Sequence, residues 1–335
     1  MERKGPLELK EARMLDAGQQ FWGKYLILEK LQRVTRDGKT MYNLKLGDPT
    51  GEMEAVVWEN CQISGELEHG RVANFLGDIS IFNGKTQMTA KKIKLTEDDF
   101  RDFLPQPPTD ISVMSAEFHQ QIAGISDRYI LALMEIIFNP AMQERFFNAP
   151  AARRVHHNYR GGLLEHSLSI CRLCLGLCSA YPFLNRDLLI AGSLLHDIGK
   201  MEEFELQFSP RYTMPGKLLG HISIGAELVS RNIRELRAQG LDFPQTLEWI
   251  LVHMVLSHHG SLEYGSPVVP LFPEAIVLHN MDRLDAQIFV FHSKAAEGSS
   301  DDPWFTTYDN FFGQQFFTMR YTSVEEPVVE EPVGE

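Results

Sequence analysis

The sequence predicts two domains of different class, a five-stranded β-barrel followed by an all-α helical bundle. Short apolar runs separated by turn residues fill the region between residues 21 and 95. Three prolines interrupt this pattern near residue 105, and apolar residues beyond them recur at helical spacing. With 335 residues, 44% of them hydrophobic and 23% charged, the chain is long and apolar enough to form both cores.

Cysteine usage and the N-terminal segment indicate an intracellular setting. Three of the four cysteines, Cys171, Cys174 and Cys178, lie within eight residues, too clustered for a disulfide framework. They share one helix face, where we expect core packing, since an iron–sulfur site would lack its fourth ligand. The first residues lack a signal-peptide core, and no run of about 18 apolar residues predicts a membrane span. We therefore expect a soluble cytoplasmic protein without a membrane partner.

Five strands are predicted between residues 20 and 96. Asp37-Gly38, the segment from Asp48 to Gly51, and Asn83-Gly84 predict three hairpin turns. A longer spacer separates the third and fourth strands, which is typical of an OB-type barrel, a fold that often binds single-stranded nucleic acid or oligosaccharide. A barrel used only for packing or dimerisation fits the same pattern, and the strands alone leave this open.

Aromatic and basic side chains of the barrel are candidates for contacting a nucleic acid. Exposed aromatic rings can stack on bases while lysines bind phosphates. Strand alternation does not say which aromatic residues face outward, so each of them can equally belong to the core. The candidates are Tyr42, Trp58, Phe75 and Phe82 among the aromatic residues, and Lys39, Lys45, Lys85, Lys91 and Lys92 among the lysines.

The remaining sequence divides into one long helical region and three short segments. Apolar periodicity predicts helices at 115–147, 162–179, 186–198, 218–238, 244–258 and 271–296. The glutamate, proline and valine residues at the C-terminus cannot form a packed core and predict disorder. The predicted organisation is an N-terminal extension 1–19, a barrel 20–96, a linker 97–114, a helical domain 115–320 and an acidic tail 321–335.

The charge of the chain is unevenly distributed. The formal net charge is −13 overall, whereas the barrel region is weakly basic. A net negative charge alone argues against a polyanionic substrate. Carboxylates that a bound cation neutralises can account for part of this charge, so phosphate chemistry is not excluded.

Histidines of the helical region lie beside acidic residues at the ends of predicted helices. A single histidine there is more often a packed residue than a metal ligand. The doublet His196-Asp197, however, lies in an apolar run, where a buried charge is costly unless paired or bound to a cation. Imidazole and carboxylate together suit Mn, Fe, Co, Ni or Zn, and a one- or two-metal centre of this type favours hydrolysis. The candidates are His166, His196, Asp197, His221, His258, His259 and Asp282.

These residues resemble the signature of a known enzyme superfamily. The H…HD…D pattern of the HD-domain metal-dependent phosphohydrolases is matched, in order and spacing, by His166, His196-Asp197 and Asp282. Together with the preceding barrel, the segments GGLLEH, LHDIGK, LSHHG and LDA resemble the YhaM family of 3′-to-5′ exoribonucleases.

The resemblance implies a metal centre and a substrate. It implies two divalent ions, with manganese the first candidate and cobalt the next, and single-stranded RNA or DNA cut stepwise to nucleoside monophosphates. The implied ligands are His166, His196, Asp197 and Asp282 for the first ion, and Asp197, His221 and either His258 or His259 for the second.

Four further residues near these ligands are candidates with ordinary alternatives. Lys200 completes HDIGK and can neutralise a phosphate or protonate the leaving group, or it is a solvated helix-end lysine. Asp285, one turn after the last signature residue, can orient a ligand histidine, or it is a surface acid. His157 and Arg160 belong to a basic segment suited to phosphates, or to a plain basic loop.

We therefore predict a metal-dependent 3′-to-5′ exoribonuclease acting on single-stranded RNA, with DNA as a further substrate. One alternative is an HD phosphodiesterase or nucleotidase that acts on cyclic or short signalling nucleotides and uses the barrel as a regulatory module. Another is a non-catalytic nucleic-acid-binding scaffold. Apolar helix surfaces permit a homo-oligomer, but no pattern selects one.

Overall fold

The computed structural model contains a β-barrel and a helical bundle, each with its own hydrophobic core. It describes residues 4–34, 38–82, 85–104, 109–151, 159–205, 211–297, 302, 304–309 and 312–318. The chain forms two compact units, Met1–Asp285 and Ala286–Glu335. The barrel and the predicted metal-ligating residues all belong to the first unit.

Five strands close into a barrel in the order β1-β2-β3-β5-β4, which confirms the predicted OB-type fold. Neighbouring strands are antiparallel except β3 and β5, which are parallel. A bulge between Ile27 and Glu29 bends β1, so that its first half pairs with β4 and its second half with β2. The strands are β1 Gln20–Val34, β2 Thr40–Asp48, β3 Gly51–Ser64, β4 Val72–Phe82 and β5 Lys85–Leu95.

The predicted turns agree with this register where the structure describes them. Gly38 adopts a φ of 76°, the left-handed conformation that glycine takes without strain. The turn at Asp48 to Gly51 joins β2 to β3. Asn83-Gly84 lies outside the described residues, but Phe82 and Lys85 on either side of it are paired across β4 and β5.

Residues before the first strand close one end of the barrel. The short helix α1, Leu9–Ala12, buries Leu9 and Ala12 completely in the barrel core. The Leu9 backbone N–H donates to Asp48 Oδ2 at 2.6 Å, which ties the helix to the end of β2. Phe75 is also inside this core, so of the two roles that the sequence left open for it, base stacking and core packing, the structure shows core packing.

The helical bundle begins at Ile111 and contains more elements than the periodicity predicts. The stretch 115–147 is three helices rather than one, because Asp127 and Asn139 accept backbone N–H groups and start new helices. A short helix and a two-stranded hairpin in the middle of the domain were not predicted. The elements are α2 Ile111–Ala123, α3 Arg128–Ile137, α4 Pro140–Asn148, α5 Gly162–Cys178, α6 Arg186–Leu195, α7 Lys200–Glu203, β6 Phe204–Glu205, β7 Arg211–Tyr212, α8 Met214–Ala238, α9 Gln245–Ser257 and α10 Pro273–Glu297.

Helices α5 and α6 lie in the centre of the bundle core. By length and hydropathy alone the segment Gly162–Ala180 could cross a membrane, a test that the core helix of a globular bundle also passes. Cys171 and Cys174 are buried on its inner face, and burial raises the pKa of both thiols to about 12. The predicted core packing of these cysteines is confirmed.

The second unit has its own small aromatic cluster. The ring of Phe291 packs edge-on against Phe316 at a centroid distance of 4.9 Å. Trp304 stacks on Phe317 with an interplanar angle of 11°. The predicted acidic tail, residues 321–335, lies outside the described residues.

Candidate metal centre

Five helices bring all seven predicted ligand residues to one place in the bundle. Two of these residues lie at helix C-termini, since His196 and His258 directly follow the last residues of α6 and α9. In α8, Gly220 has a φ of 71° that breaks the helix, and His221 begins the second part. The other ligand candidates are His166 on α5, Asp197 after His196, His259 after His258, and Asp282 on α10.

Asp197 occupies the middle of this cluster, and its two oxygens face different histidines. Its Oδ2 lies 3.2 Å from His196 Nε2 and 3.7 Å from His166 Nε2. Its Oδ1 lies 3.4 Å from His221 Nε2 and 3.7 Å from His258 Nε2. A carboxylate placed in this way can bridge two cations.

The remaining two candidates lie at opposite sides of the cluster. Asp282 Oδ1 is 3.2 Å from His166 Nε2. His259 has a ligand atom within 4.8 Å of those of His221 and His258, so both members of the histidine doublet reach the same side. His258 is fully buried and approaches Asp197, whereas His259 is partly exposed.

Every histidine of the cluster is held in the same tautomer. Each Nδ1 lies at hydrogen-bond distance from a carbonyl or carboxylate oxygen, and such an oxygen requires the proton on Nδ1. In a neutral ring the Nε2 atom then has its lone pair directed at the centre, which is the form that binds a metal. The pairs are His166 with Asp285 at 2.8 Å, His196 with Ser193 O at 2.9 Å, His221 with Glu203 at 3.2 Å, His258 with Val255 O at 2.7 Å and His259 with Tyr264 O at 2.8 Å.

Several buried polar atoms of the cluster have no hydrogen-bond partner among the described residues. A buried polar atom left in this way costs about 1–3 kcal/mol, and four of them in one cluster are hard to explain by packing. One or two divalent cations would satisfy all of them, so the residues fit a metal centre. The atoms are His196 Nε2, Asp197 Oδ1, His221 Nε2 and His258 Nε2.

Local charges set the ionisation of these groups. Burial alone would raise the pKa of Asp197, but the charges of Lys200 and His196 hold it well below its usual range. Burial alone would lower the pKa of His166, whereas its hydrogen bonds with Asp282 and Asp285 raise it to about 9, so this ring gives up its Nε2 proton when a metal binds. Burial, with the nearby charge of His196, lowers the pKa of His258 well below its usual value. The carboxylate is therefore ionised and His258 is neutral, as metal ligands must be.

Three further residues support the ligands. Asp285 lies 2.8 Å from His166 Nδ1, the contact that its predicted orienting role requires. Lys200 is buried, with its Nζ 2.6 Å from Asp197 Oδ2, so the alternative of a solvated helix-end lysine is wrong. Glu203, which the sequence did not single out, is buried and accepts the His221 backbone N–H at 3.0 Å. In the sequence, the one feature that could have pointed to Glu203 is its position six residues after Asp197.

The backbone just after the doublet His196-Asp197 packs very closely against α8. A Cβ atom placed on Gly199 would lie 2.0 Å from His221 O and 2.7 Å from Gly225 N. Only a glycine allows this approach, because both neighbours are backbone atoms that cannot rotate away. This contact fixes the distance between the Asp197 turn and the helix that carries His221.

The predicted substrate-binding residues lie outside the metal cluster. Tyr42 packs against the barrel core, and Lys30 Nζ lies 5.0 Å from the centre of its ring. Trp58 on β3 is 43% exposed, and Lys85 is exposed at the start of β5. The Arg160 side chain donates to Asn148 Oδ1 at 2.7 Å. His157 lies outside the described residues.

Comparisons with known families agree with this division into a barrel and a helical metal centre. The HD domain family matches residues 163–287, which contain all seven ligand candidates. A family of OB-fold nucleic acid binding domains matches residues 29–96. Both matches fall on the elements described above.

Curated relatives resemble the chain over both domains. The 3′-5′ exoribonuclease YhaM of Listeria innocua is 34% identical over 285 residues, which cover 82% of this chain and 89% of that protein. The 3′-5′ exoribonuclease YhaM of Oceanobacillus iheyensis is 36% identical over 276 residues, covering 81% of this chain and 85% of that protein. The similarity therefore extends over nearly the whole length of these relatives.

Proposed function

Because this chain belongs to the YhaM family of 3′-5′ exoribonucleases, we propose that it removes nucleotides stepwise from the 3′ end of single-stranded RNA by metal-dependent hydrolysis. The products are nucleoside monophosphates, and single-stranded DNA is a further substrate. The observation that carries the proposal is the Asp197 cluster, where four buried polar atoms converge without hydrogen-bond partners among the described residues.

Two ions, with manganese the first candidate, would occupy the cluster. The two sides of Asp197 support this number, because each oxygen faces a different pair of histidines. Such ions lower the pKa of a bound water and stabilise the charge of an in-line phosphoryl transition state. The first would be held by His166, His196, Asp197 and Asp282, and the second by Asp197, His221 and the doublet His258-His259.

The protein residues around the ligands fix their geometry. Asp285 and Glu203 accept hydrogen bonds from two ligand histidines, so the rings cannot turn their Nε2 atoms away. Lys200 keeps Asp197 ionised and would add a positive charge for a phosphate bound at this centre. The surrounding apolar core limits water access, which strengthens these electrostatic interactions.

The barrel has a separate task in this proposal. Barrels of this fold bind single strands through base stacking and phosphate contacts that tolerate any sequence. A strand held in this way can present successive 3′ ends to the helical domain.

The test is an end-labelled degradation assay with the manganese-loaded protein. We expect a 5′-labelled single-stranded 20-mer to shorten in one-nucleotide steps from its 3′ end, with nucleoside monophosphates as the only other product. His196→Gln removes a ligand and should abolish shortening. His119→Gln changes a surface histidine of α2 that hydrogen-bonds to Ser115 O and Gln143, and it should retain activity.

A substrate panel separates the alternatives. Hydrolysis of cyclic or short nucleotides with the single strand left intact would contradict the exoribonuclease and favour a signalling-nucleotide phosphodiesterase. Equal activity of the His196→Gln and His119→Gln variants would contradict catalysis at this centre.

A further inference from the structure

A groove of about 270 Å³ lies on the outer surface of the barrel, where β1, β4 and β5 run side by side. Trp22 pairs with Leu76 across β1 and β4, and Leu76 pairs with Lys92 across β4 and β5. Asn74 and Lys94 form the neighbouring pair. The groove therefore combines one large aromatic ring on β1 with two lysines on β5, and β4 runs between them.

The indole of Trp22 is held in place by the N-terminal segment. The Trp22 backbone N–H donates to Lys4 O, and Trp22 O accepts from Leu7 N, both at 3.0 Å. A Cβ atom on Gly5 would lie 2.9 Å from Trp22 Cδ1, so the segment runs directly along one edge of the ring. A ring fixed before binding loses little conformational entropy when a ligand stacks on it.

The two lysines of the groove are not neutralised by neighbouring carboxylates of the described residues. Lys92 and Lys94 are exposed, and neither forms an ion pair within the part of the chain that the structure describes. Other lysines of the same sheet are already neutralised, since Lys24 lies 2.9 Å from Asp98 and Lys91 lies 2.5 Å from Asp78.

The opposite face of the barrel has a different charge. The surface of β2 and β3 is the one on which this fold commonly binds oligonucleotides. Here Glu29, Lys45 and Glu54 occupy one row across β1, β2 and β3, and the lysine also lies 2.5 Å from Glu52. Carboxylates outnumber the lysine in this row, so a phosphate placed on it would meet a net negative charge. The two lysines of the groove thus contrast with a net negative row on the other side of the barrel.

We propose that the groove on β1, β4 and β5 binds single-stranded nucleic acid, with one base stacked on Trp22 and adjacent phosphates at Lys92 and Lys94. The proposal rests on the proposed function for the identity of the strand, and it assigns the strand to a different face from the usual one. A stacked base and two phosphate contacts suit a substrate that must be bound without regard to sequence.

The first test measures how binding depends on salt. The metal-loaded full-length protein is titrated into a fluorescein-labelled 12-mer RNA with phosphorothioate linkages, which resist hydrolysis, and anisotropy is recorded between 50 and 200 mM salt. Each phosphate contact on a single strand contributes about 0.7 to the slope of log affinity against log salt. The double variant Lys92→Gln/Lys94→Gln should reduce this slope by about 1.4 and weaken binding about 25-fold at 0.1 M salt.

The matched control removes the same charge from the other face. Lys39→Gln/Lys45→Gln should change affinity less than about twofold, with little change in slope. Thermal melting of each variant verifies that the barrel remains folded. A larger loss in the control than in Lys92→Gln/Lys94→Gln would overturn the proposal and assign the strand to the β2 and β3 face.

A fluorescence titration tests the stacking contact. The strand should quench tryptophan emission in the wild-type protein and in Trp58→Phe, and the quenching should disappear in Trp22→Phe. The reverse pattern would overturn the proposal. If the wild-type protein binds this strand and degrades an unmodified one while both groove variants behave like it, the groove assignment fails and the exoribonuclease stands. If the wild-type protein neither binds nor degrades any strand, both fail.

Discussion

Gly199 lies where the turn carrying Asp197 meets α8, and replacing it by alanine tests how backbone packing positions the metal centre. The added Cβ would lie 2.0 Å from His221 O and 2.7 Å from Gly225 N. Since neither atom belongs to a side chain, α8 itself must move.

The size of the movement follows from the contact distances. An ordinary contact needs about 3.4 Å, so the helix must retreat by roughly 1.4 Å. Overpacking of this kind costs about 1–3 kcal/mol of unfolding free energy, or roughly 2–12 °C in melting temperature for a domain of this size. Because α8 carries His221, a ligand displacement of about 1 Å should also lower turnover about 100-fold.

Calorimetry and hydrolysis of a labelled single strand measure the two effects of Gly199→Ala. The control is Gly176→Ala on α5, where an added Cβ has no atom within 4 Å. Alanine at this exposed helical position should stabilise the protein by about 0.5–1 kcal/mol and leave hydrolysis unchanged. If Gly199→Ala matched the control in melting temperature and turnover, the close approach of α8 to this turn would be refuted.

Three further expectations concern the same domain. Asp285→Asn removes the carboxylate beside His166 Nδ1 and should lower metal affinity or turnover about 10- to 100-fold, measured by metal titration and strand hydrolysis; an unchanged metal affinity and turnover would contradict its orienting role. Stripping the metals with a chelator should destabilise the protein, because an ion at 100 times its dissociation constant contributes about 2.7 kcal/mol to the free energy of unfolding. Calorimetry measures the loss, and re-addition of manganese should restore the melting temperature. Leu194→Ala opens a cavity at a fully buried position and should cost about 2–5 kcal/mol in denaturant unfolding, whereas Val113→Ala at an exposed position should cost less than about 0.5 kcal/mol.

Local sequence patterns were sufficient for most elements and insufficient at their boundaries. The predicted helix at 162–179 corresponds to Gly162–Cys178, because a long apolar repeat at helical spacing has few alternatives. The stretch 115–147 divides into three helices because Asp127 and Asn139 cap backbone N–H groups, a local signal that an apolar repeat does not contain.

The barrel shows where pattern reasoning stops. Turn residues and strand spacing predicted five strands, since those signals act over a few residues. Alternation could not assign Phe75 to the interior, because a period of two defines two faces without saying which one is enclosed. The separation of Lys92 and Lys94 from Glu29 and Glu54 arises only when the sheet closes on itself.

For the metal centre, too, the sequence determined one part and the tertiary structure another. The sequence by itself determined the kinds of ligand, because imidazoles and carboxylates in an apolar, helical context require a cation or a partner, and their order carries the family signature. Only the tertiary structure decided that the two oxygens of Asp197 face opposite pairs of histidines, and that Glu203 holds His221. These contacts join residues from separate helices whose relative placement is set by core packing and by the close approach at Gly199, and no local spacing encodes that placement.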